Sequence, residues 1–285
     1  MPYIMPCIVL FVKRVLKKHR HFFQNVGACN DSGSHGIIMA NRKSERGVCR
    51  VEGVAEFGMA RMRRKKNLVP RMERCSSYQI LPPFPAPGSW RTTFGAAADA
   101  TLALEIGCGK GGFAIRTAQA DPSCCLIAMD RVNEALVVGM ERAASEQVQN
   151  LRFLSGDCAM LSELFAPGEV DIIYLNFSDP WPSKRHAKRR LTYRTFLEIY
   201  RNLLADDGVL YFKTDNRDLF EFSLEEFSGN GFLLDGVTYD LHATDLPNIP
   251  TEYEEKFAAA GMPIHRLAAR KQLTASNAPE AEHDA

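Results

Sequence analysis

The chain lacks what a membrane protein, a secreted disulfide scaffold or a zinc domain would need. Ile4 to Val12 is apolar, but it is nine residues long and interrupted by Pro6, against the roughly 20 residues of a spanning helix. Its basic flank follows rather than precedes it, and no small-residue cleavage site comes after, so the charge order of a secretory signal is missing. The eight cysteines, at 7, 29, 49, 75, 108, 124, 125 and 158, form no C-x-x-C pair and no zinc spacing. Reduced thiols in the cytoplasm are the reading. A metal-ligand set and a nucleophilic triad are also missing, so neither metal hydrolysis nor acyl-enzyme chemistry is expected.

Net charge is nearly absent too, at +1 over 285 residues, but this hides an asymmetry. Residues 1–75 hold 16 Lys and Arg against 5 acids, and residues 76–285 hold 19 against 29. An anionic partner would therefore meet the amino-terminal portion, while most of the remaining surface repels it and orients its approach. A chain of this length buries a substantial core in one large α/β domain or two small ones.

Residues 1–58 read unlike the rest: from Gly27 to Gly58 the chain is rich in Gly, Ser, Asn and charge without a sustained period, the pattern of loop or disorder. Met59 opens MARMRRKKNLVPRMERC, which reads as a natural start. Residues 1–58 are accordingly expected to be an upstream extension or a mis-assigned start, with a genuine amino-terminal arm as the alternative. Residues 59–95 read as a basic arm followed by an extended connector carrying prolines at 82, 83, 85 and 87. Residues 96–273 read as the organised domain and 274–285 as a disordered tail.

Within the domain, Leu102–Ile106 predicts a strand, Gly107-Cys108-Gly109-Lys110-Gly111-Gly112 a glycine-rich turn, and Phe113–Gln119 a helix. Glycines let a cofactor lie against exposed peptide groups at a helix amino terminus. Gly107, Gly109 and Gly112 also satisfy the G-x-G-x-x-G of nicotinamide enzymes. Glu105 weighs against that match, because an acid there would repel a pyrophosphate and attract a sulfonium or an ammonium. A second strand, Cys125–Met129, ends at Asp130, 23 residues after Gly107, where an acid fits a ribose diol in either class of enzyme. Asp157 follows a third strand and can accept from an adenine amine or cap the segment Cys158–Leu164.

The pattern continues with strands at Val170–Leu175, Val209–Lys213 and Leu233–Tyr239, and helices at Val132–Glu146, Tyr193–Leu204 and Leu219–Ser228. Such alternation specifies a doubly wound α/β fold with a mainly parallel sheet. Glu105, Asp130, Asp157, Asp179 and Asp215 then all fall at or near strand carboxyl ends, the rim where ligands bind in open sheets.

The densest stretch is Asn176 to Arg190, NFSDPWPSKRHAKRR. The prolines of Asp179-Pro180-Trp181-Pro182 forbid a helix or a central strand, so Asp179 and Trp181 stand on a stiff turn. Lys184, Arg185, Lys188, Arg189 and Arg190 put five cations within seven residues, a density suited to phosphates. A solvated basic surface is the alternative. Trp181 is either a stacking platform for a base or a wedge for the turn, and Tyr253 reads as packing.

LEIGCGKGGF at 104–113, YLNFSDPWPSKRHAKRRL at 174–191, FKTDN at 212–216 and TEYEEKF at 251–257, in this order, resemble the bacterial tRNA (guanine-N7-)-methyltransferases over about residues 59–271. The resemblance implies a Rossmann-like class I methyltransferase fold with a mostly parallel seven-stranded sheet ending in an antiparallel hairpin. It implies S-adenosyl-L-methionine (AdoMet) as cofactor, a guanine in the tRNA variable loop as acceptor, and a cytoplasmic monomer or homodimer with no membrane or metal partner. By analogy Glu105, Gly107, Gly109, Asp130, Asp157 and Asp179 would surround AdoMet, with Asp179 also the catalytic candidate. Asp215, Thr251 and Glu254 would hold the guanine. Family members often carry lysine at the position of Ser183; Lys184 is the candidate to replace it. Two other readings remain: a nicotinamide-dependent oxidoreductase, which leaves Glu105 and the basic run unexplained, and an inert RNA-binding module on the same fold.

Overall fold

The structure is a computed structural model and describes residues 65–273; the expectations for residues 1–58 and 274–285 lie outside the described residues. The chain enters through α1 (Leu68–Arg74), the two-residue strand β1 (Gln79–Ile80) and α2 (Trp90–Thr93). Strand and helix then alternate: β2 (Leu102–Ile106), α3 (Gly112–Ala120), β3 (Cys125–Asp130), α4 (Asn133–Ser145), β4 (Leu151–Ser155), α5 (Leu161–Leu164), β5 (Val170–Asn176), α6 (Arg194–Leu203), β6 (Leu204–Thr214), α7 (Arg217–Gly229), β7 (Phe232–Thr238), α8 (Glu252–Ala259) and β8 (His265–Lys271).

These strands form one sheet in the order β1-β4-β3-β2-β5-β6-β8-β7. β1 to β6 run parallel, and β8 enters antiparallel between β6 and β7. The chain winds outward from β2 through β3 and β4, then returns to β5 on the other side of β2. That reversal opens a crevice beyond the carboxyl ends of β2 and β5, where a doubly wound sheet receives its ligand.

Side chains of a strand alternate between the two faces of the sheet. Leu102, Leu104 and Ile106 of β2 enter one apolar layer and Ala103 the other, so a central strand is apolar on both faces and Glu105 is an exception that needs a partner. In α6, Leu197, Tyr200 and Leu203 fall on one face and are fully buried, the spacing of a helix laid on a sheet.

Three expectations need correction. The sheet has eight strands, not seven, because β1 pairs with β4 through Gln79 opposite Phe153 and Ile80 opposite Leu154. The segment read as an extended connector contains β1 and α2, and Trp90 in it is fully buried. Its indole N–H donates to the Leu164 carbonyl at 2.7 Å, and its ring stacks on Phe165 at 4.7 Å. The prolines stop the backbone from making long elements, but they do not stop a large aromatic from seeking the core. Finally, the strand expected at Val209–Lys213 begins at Leu204, so Asp206-Asp207-Gly208 lies within β6: both acids stay exposed at a register shift between Val170 and Ile172. The basic arm packs on the domain through Met72 and Cys75, and Arg71 binds both carboxylate oxygens of Glu141 on α4, at 2.7 and 2.6 Å.

Candidate active site

The turn after β2 is held by the neighbouring strand: the N–H groups of Gly107 and Cys108 both donate to the Met129 carbonyl, at 2.8 and 3.0 Å. Gly107 and Gly109 have φ of 81° and 56°, the left-handed region that side chains avoid, and a Cβ at either would meet nothing within 4 Å. Their backbone therefore faces open space that packing does not need. Glu105, below the turn, is 2% exposed. Its Oε1 accepts from Asn176 Nδ2 at 3.1 Å, whereas its Oε2 is buried with no partner among the described residues. Burial pushes the carboxyl up to about 7, against the Asn176 hydrogen bond and the Lys213 charge, which both pull it down. A buried acceptor with no donor is costly, and the missing donor must come from a ligand or a water.

Asp130 closes the same turn. Its Oδ2 accepts from the Gly109 N–H at 2.8 Å and its Oδ1 from the Val132 N–H at 2.9 Å, so each oxygen keeps a lone pair for a further donor. Asp157 stands at the end of β4 and accepts from the Ala159 N–H at 3.1 Å, a cap on the short helical turn Cys158–Met160. Its other oxygen is 3.4 Å from Arg131 in an exposed pair.

The loop after β5 is stiff for a reason beyond its prolines. Phe177 and Trp181 adopt φ of 51° and 41°, positions that cost a bulky residue energy and must be held from outside. The Phe177 N–H donates to the Lys213 carbonyl at 2.8 Å, and Arg190 holds the Trp181 end: it is 8% exposed and donates to the carbonyls of Pro180 and Trp181, at 3.0 and 3.1 Å, with its guanidinium 4.3 Å from the Phe222 ring centre. The basic run thus divides. Arg190 is part of the turn, Arg189 lies 4.8 Å over the Trp181 ring, and Lys184, Arg185, Lys188 and Arg189 are exposed. Asp179, at the apex, is exposed, and the Ser178 hydroxyl beside it and Asn176 Oδ1 are buried without partners among the described residues.

The end of β6 supplies the opposite wall. Asp215 accepts from the Tyr253 hydroxyl at 3.3 Å; burial, and then the Asp215 charge, push the Tyr253 phenol up to about 12. Tyr253 packs on Phe177 at 4.9 Å and on Phe257 at 4.2 Å, which joins α8 to the loop of Asp179. Thr251 and Glu254 form a capping box at the start of α8. Glu254 is fully buried and accepts from Lys213 at 2.7 Å and from Asn248 Nδ2 at 2.5 Å.

Glu105, Gly107, Gly109 and Asp130 thus meet around one turn, and Asp179 and Asp215 stand at the ends of the next two strands, while Lys184 lies beyond on the exposed part of the loop. Lys213, Asn176 and Ser178 went unnoticed as individual residues. The one signal for Lys213 was a lysine continuing the apolar run Val209–Phe212. A cavity of about 570 Å³ lined by Ser162, Glu198, Asp206 and Lys271 sits at the start of β6 and the end of β8, on the opposite rim, away from every one of these groups. Among the described residues no cluster of three or more His, Cys, Asp or Glu could hold a metal, and no helix is long and apolar enough to cross a membrane.

A parallel sheet with a reversed strand next to one edge, a glycine turn after its first central strand and acids on that rim define a Rossmann-like class I methyltransferase fold. A family described as "Putative methyltransferase" matches residues 99–267. The tRNA (guanine-N(7)-)-methyltransferase of Streptococcus mutans serotype c is 43% identical over 211 residues, covering 74% of this chain and 99% of the relative. That of Listeria monocytogenes serotype 4b is 48% identical over 201 residues, covering 70% of this chain and 93% of the relative. The chain belongs to the tRNA (guanine-N(7)-)-methyltransferase family.

Proposed function

We propose that this protein transfers the methyl group of AdoMet to N7 of a guanine in the variable loop of tRNA. The observation that carries the reading is the orphaned, buried Oε2 of Glu105 beside the open backbone of Gly107 and Gly109. An ammonium donor would satisfy that oxygen and hold the carboxylate ionised, and a dinucleotide pyrophosphate would do the reverse. The residues present therefore fit AdoMet. Glu105 takes the amino-acid end, Asp130 the ribose diol through its remaining lone pairs, and Gly107 and Gly109 give the close approach. Asp157 receives the adenine amine on the side its cap bond leaves open, and Asp179 borders the methyl-bearing end.

AdoMet supplies an electrophilic methyl group on a sulfonium. The guanine N7 is a nucleophile with no proton to lose, so the protein's task is alignment and exclusion of competing geometries rather than base catalysis. Methylation leaves the purine cationic, and Asp179, fixed on its strained turn, is the catalytic residue that stabilises the charge as it forms. Asp215 accepts from the guanine N1–H and amino group, which adenine cannot offer in that arrangement. Thr251 and Glu254 serve the acceptor side by fixing the start of α8, and Lys184 contacts the substrate in place of the lysine that the family often has at the position of Ser183. The exposed cations of the loop meet tRNA phosphates.

The experiment is nucleoside mass spectrometry of tRNA after incubation with the protein and AdoMet. New 7-methylguanosine is the expected result. Thermal stabilisation by AdoMet with no methylated nucleoside would support the inert RNA-binding module, and stabilisation by NADH instead would support the oxidoreductase.

A further inference from the structure

Lys213 is a cation on the buried face of β6, 5% exposed, and its ammonium spends all three protons on one segment. It donates to Glu254 Oε2 at 2.7 Å, to Asn248 Oδ1 at 3.0 Å and to the Ile249 carbonyl at 3.0 Å. On the other side it sits 5.2 Å from the ring of Phe113, in the first turn of the helix that follows the glycine turn. In the sheet Lys213 is registered with Asn176, the residue that donates to Glu105. One side chain thus joins the groups around Glu105 to the segment 248–254.

Two further contacts tie α8 to the helices of the cofactor half. Arg116 of α3 donates to the Pro250 carbonyl at 3.0 Å and to Glu255 at 2.7 Å. Arg142 of α4 donates to Glu252 at 2.7 Å, whose side chain packs so closely on α3 that a Cβ at Gly112 would lie 2.9 Å from it. Both of these pairs are partly exposed and weak. Lys213–Glu254 is the buried one. Apolar side chains would hold α8 with at least equal strength, because two charges must be taken out of water to make the pair. What the ion pair adds is direction: three donors fix where Glu254, Tyr253 and Asp215 stand relative to the rim of Glu105.

We infer that Lys213 is a positioning residue for methyl transfer, acting through Glu254 to set the acceptor wall at its working distance from the cofactor turn. The inference rests on the acceptor reading given above. It is tested by a double-mutant cycle in the full chain, with Lys213→Met, Glu254→Gln and the two combined. The readouts are kcat and KM for tRNA at saturating AdoMet, AdoMet affinity by calorimetry, and amide hydrogen exchange.

Lys213→Met is expected to lose about 100-fold in kcat, the effect of roughly 1 Å of misplacement, with AdoMet affinity and KM for tRNA within about threefold of wild type. The double variant is expected to be no slower than Glu254→Gln alone, because the two residues act as one unit. Should Lys213→Met fail to fold, since it leaves Glu254 buried without its lysine, the comparison of the double variant with Glu254→Gln decides. A folded Lys213→Met with wild-type kcat, or a double variant about tenfold slower than Glu254→Gln, overturns the inference. Wild-type protein that forms no 7-methylguanosine refutes the acceptor reading instead, and amide exchange then judges Lys213. Loss of protection confined to 247–259, with β2 and β3 unchanged, supports the positioning role, and a uniform loss overturns it.

Discussion

The guanidinium of Arg190 donates to the carbonyl of Trp181 at 3.1 Å, across a turn in which Trp181 itself holds a φ of 41°. A charged donor on a strained backbone does structural work that a neighbouring arginine in solvent does not. The basic run is therefore two devices in one sequence, and mutation separates them.

Arg190→Ala removes two charge-assisted hydrogen bonds and the Phe222 contact, so it should cost about 2–3 kcal/mol of stability and lower kcat through the Asp179 turn. Its salt dependence of tRNA binding should match the wild type. Neutralising Lys184, Arg185 and Lys188 together should do the opposite: melting temperature unchanged, tRNA affinity lowered, and the salt slope flattened by about 0.7–0.9 for each phosphate that is no longer neutralised. Identical salt slopes in the triple variant and the wild type would make the exposed run ordinary surface.

Asp130→Ala should weaken AdoMet binding by about tenfold or more, the worth of a hydrogen bond to a charged group, while tRNA affinity measured without AdoMet stays the same. The loss has two sources, the ribose contact and the Gly109 N–H that Asp130 fixes at 2.8 Å. Asp130→Asn keeps an acceptor for that N–H and should recover part of the affinity in calorimetry. Equal losses in both variants would assign the whole effect to charge.

Trp90→Ala should destabilise the domain by about 3–5 kcal/mol, as expected for a fully buried large aromatic, and it should reduce methylation only in proportion to the unfolded fraction. Denaturant titration alongside activity at a temperature where the variant is folded checks this. A folded variant with low kcat would give the segment before β2 a role in the chemistry.

What could be read from the chain was what is encoded locally. The strands from β2 to β6 are short apolar runs separated by helical stretches, and Glu105, Asp130, Asp179 and Asp215 sit where such strands end, so the sheet and its rim follow from the pattern. Long-range pairing was invisible. Arg190 looks like Arg189 until Phe222 is brought against it, and Lys213 looks like any strand lysine until Glu254, 41 residues on, is folded over it. Thr251-Glu252-Tyr253-Glu254 was ambiguous for another reason: a Thr followed three residues later by Glu is both the resemblance's guanine contact and the sequence signature of a capping box, and the structure forms the box. β1 is two residues long and owes its existence to the free edge of β4 rather than to its own sequence.

The Glu105 carboxyl, raised from 4.5 to about 7 by burial, gives the last prediction its sign. Between these two values the folded protein holds a proton that the unfolded chain has lost, so stability falls as pH rises from about 4.5 to 7 and is flat above. The full effect is of the order of 3 kcal/mol, since one pKa unit is about 1.4 kcal/mol. Glu105→Gln has no charge to bury and should be the more stable protein at pH 8, by up to that amount, with the advantage gone near pH 5. AdoMet reverses the preference, because its ammonium favours the ionised carboxylate. Wild-type affinity should therefore rise with pH up to about 7 and release a proton on binding below it, while Glu105→Gln should bind weakly at every pH. Urea titrations of both proteins at pH 5, 6, 7 and 8, with calorimetry in buffers of different ionisation heat, measure both halves; a pH-independent affinity would take Glu105 out of contact with the ammonium.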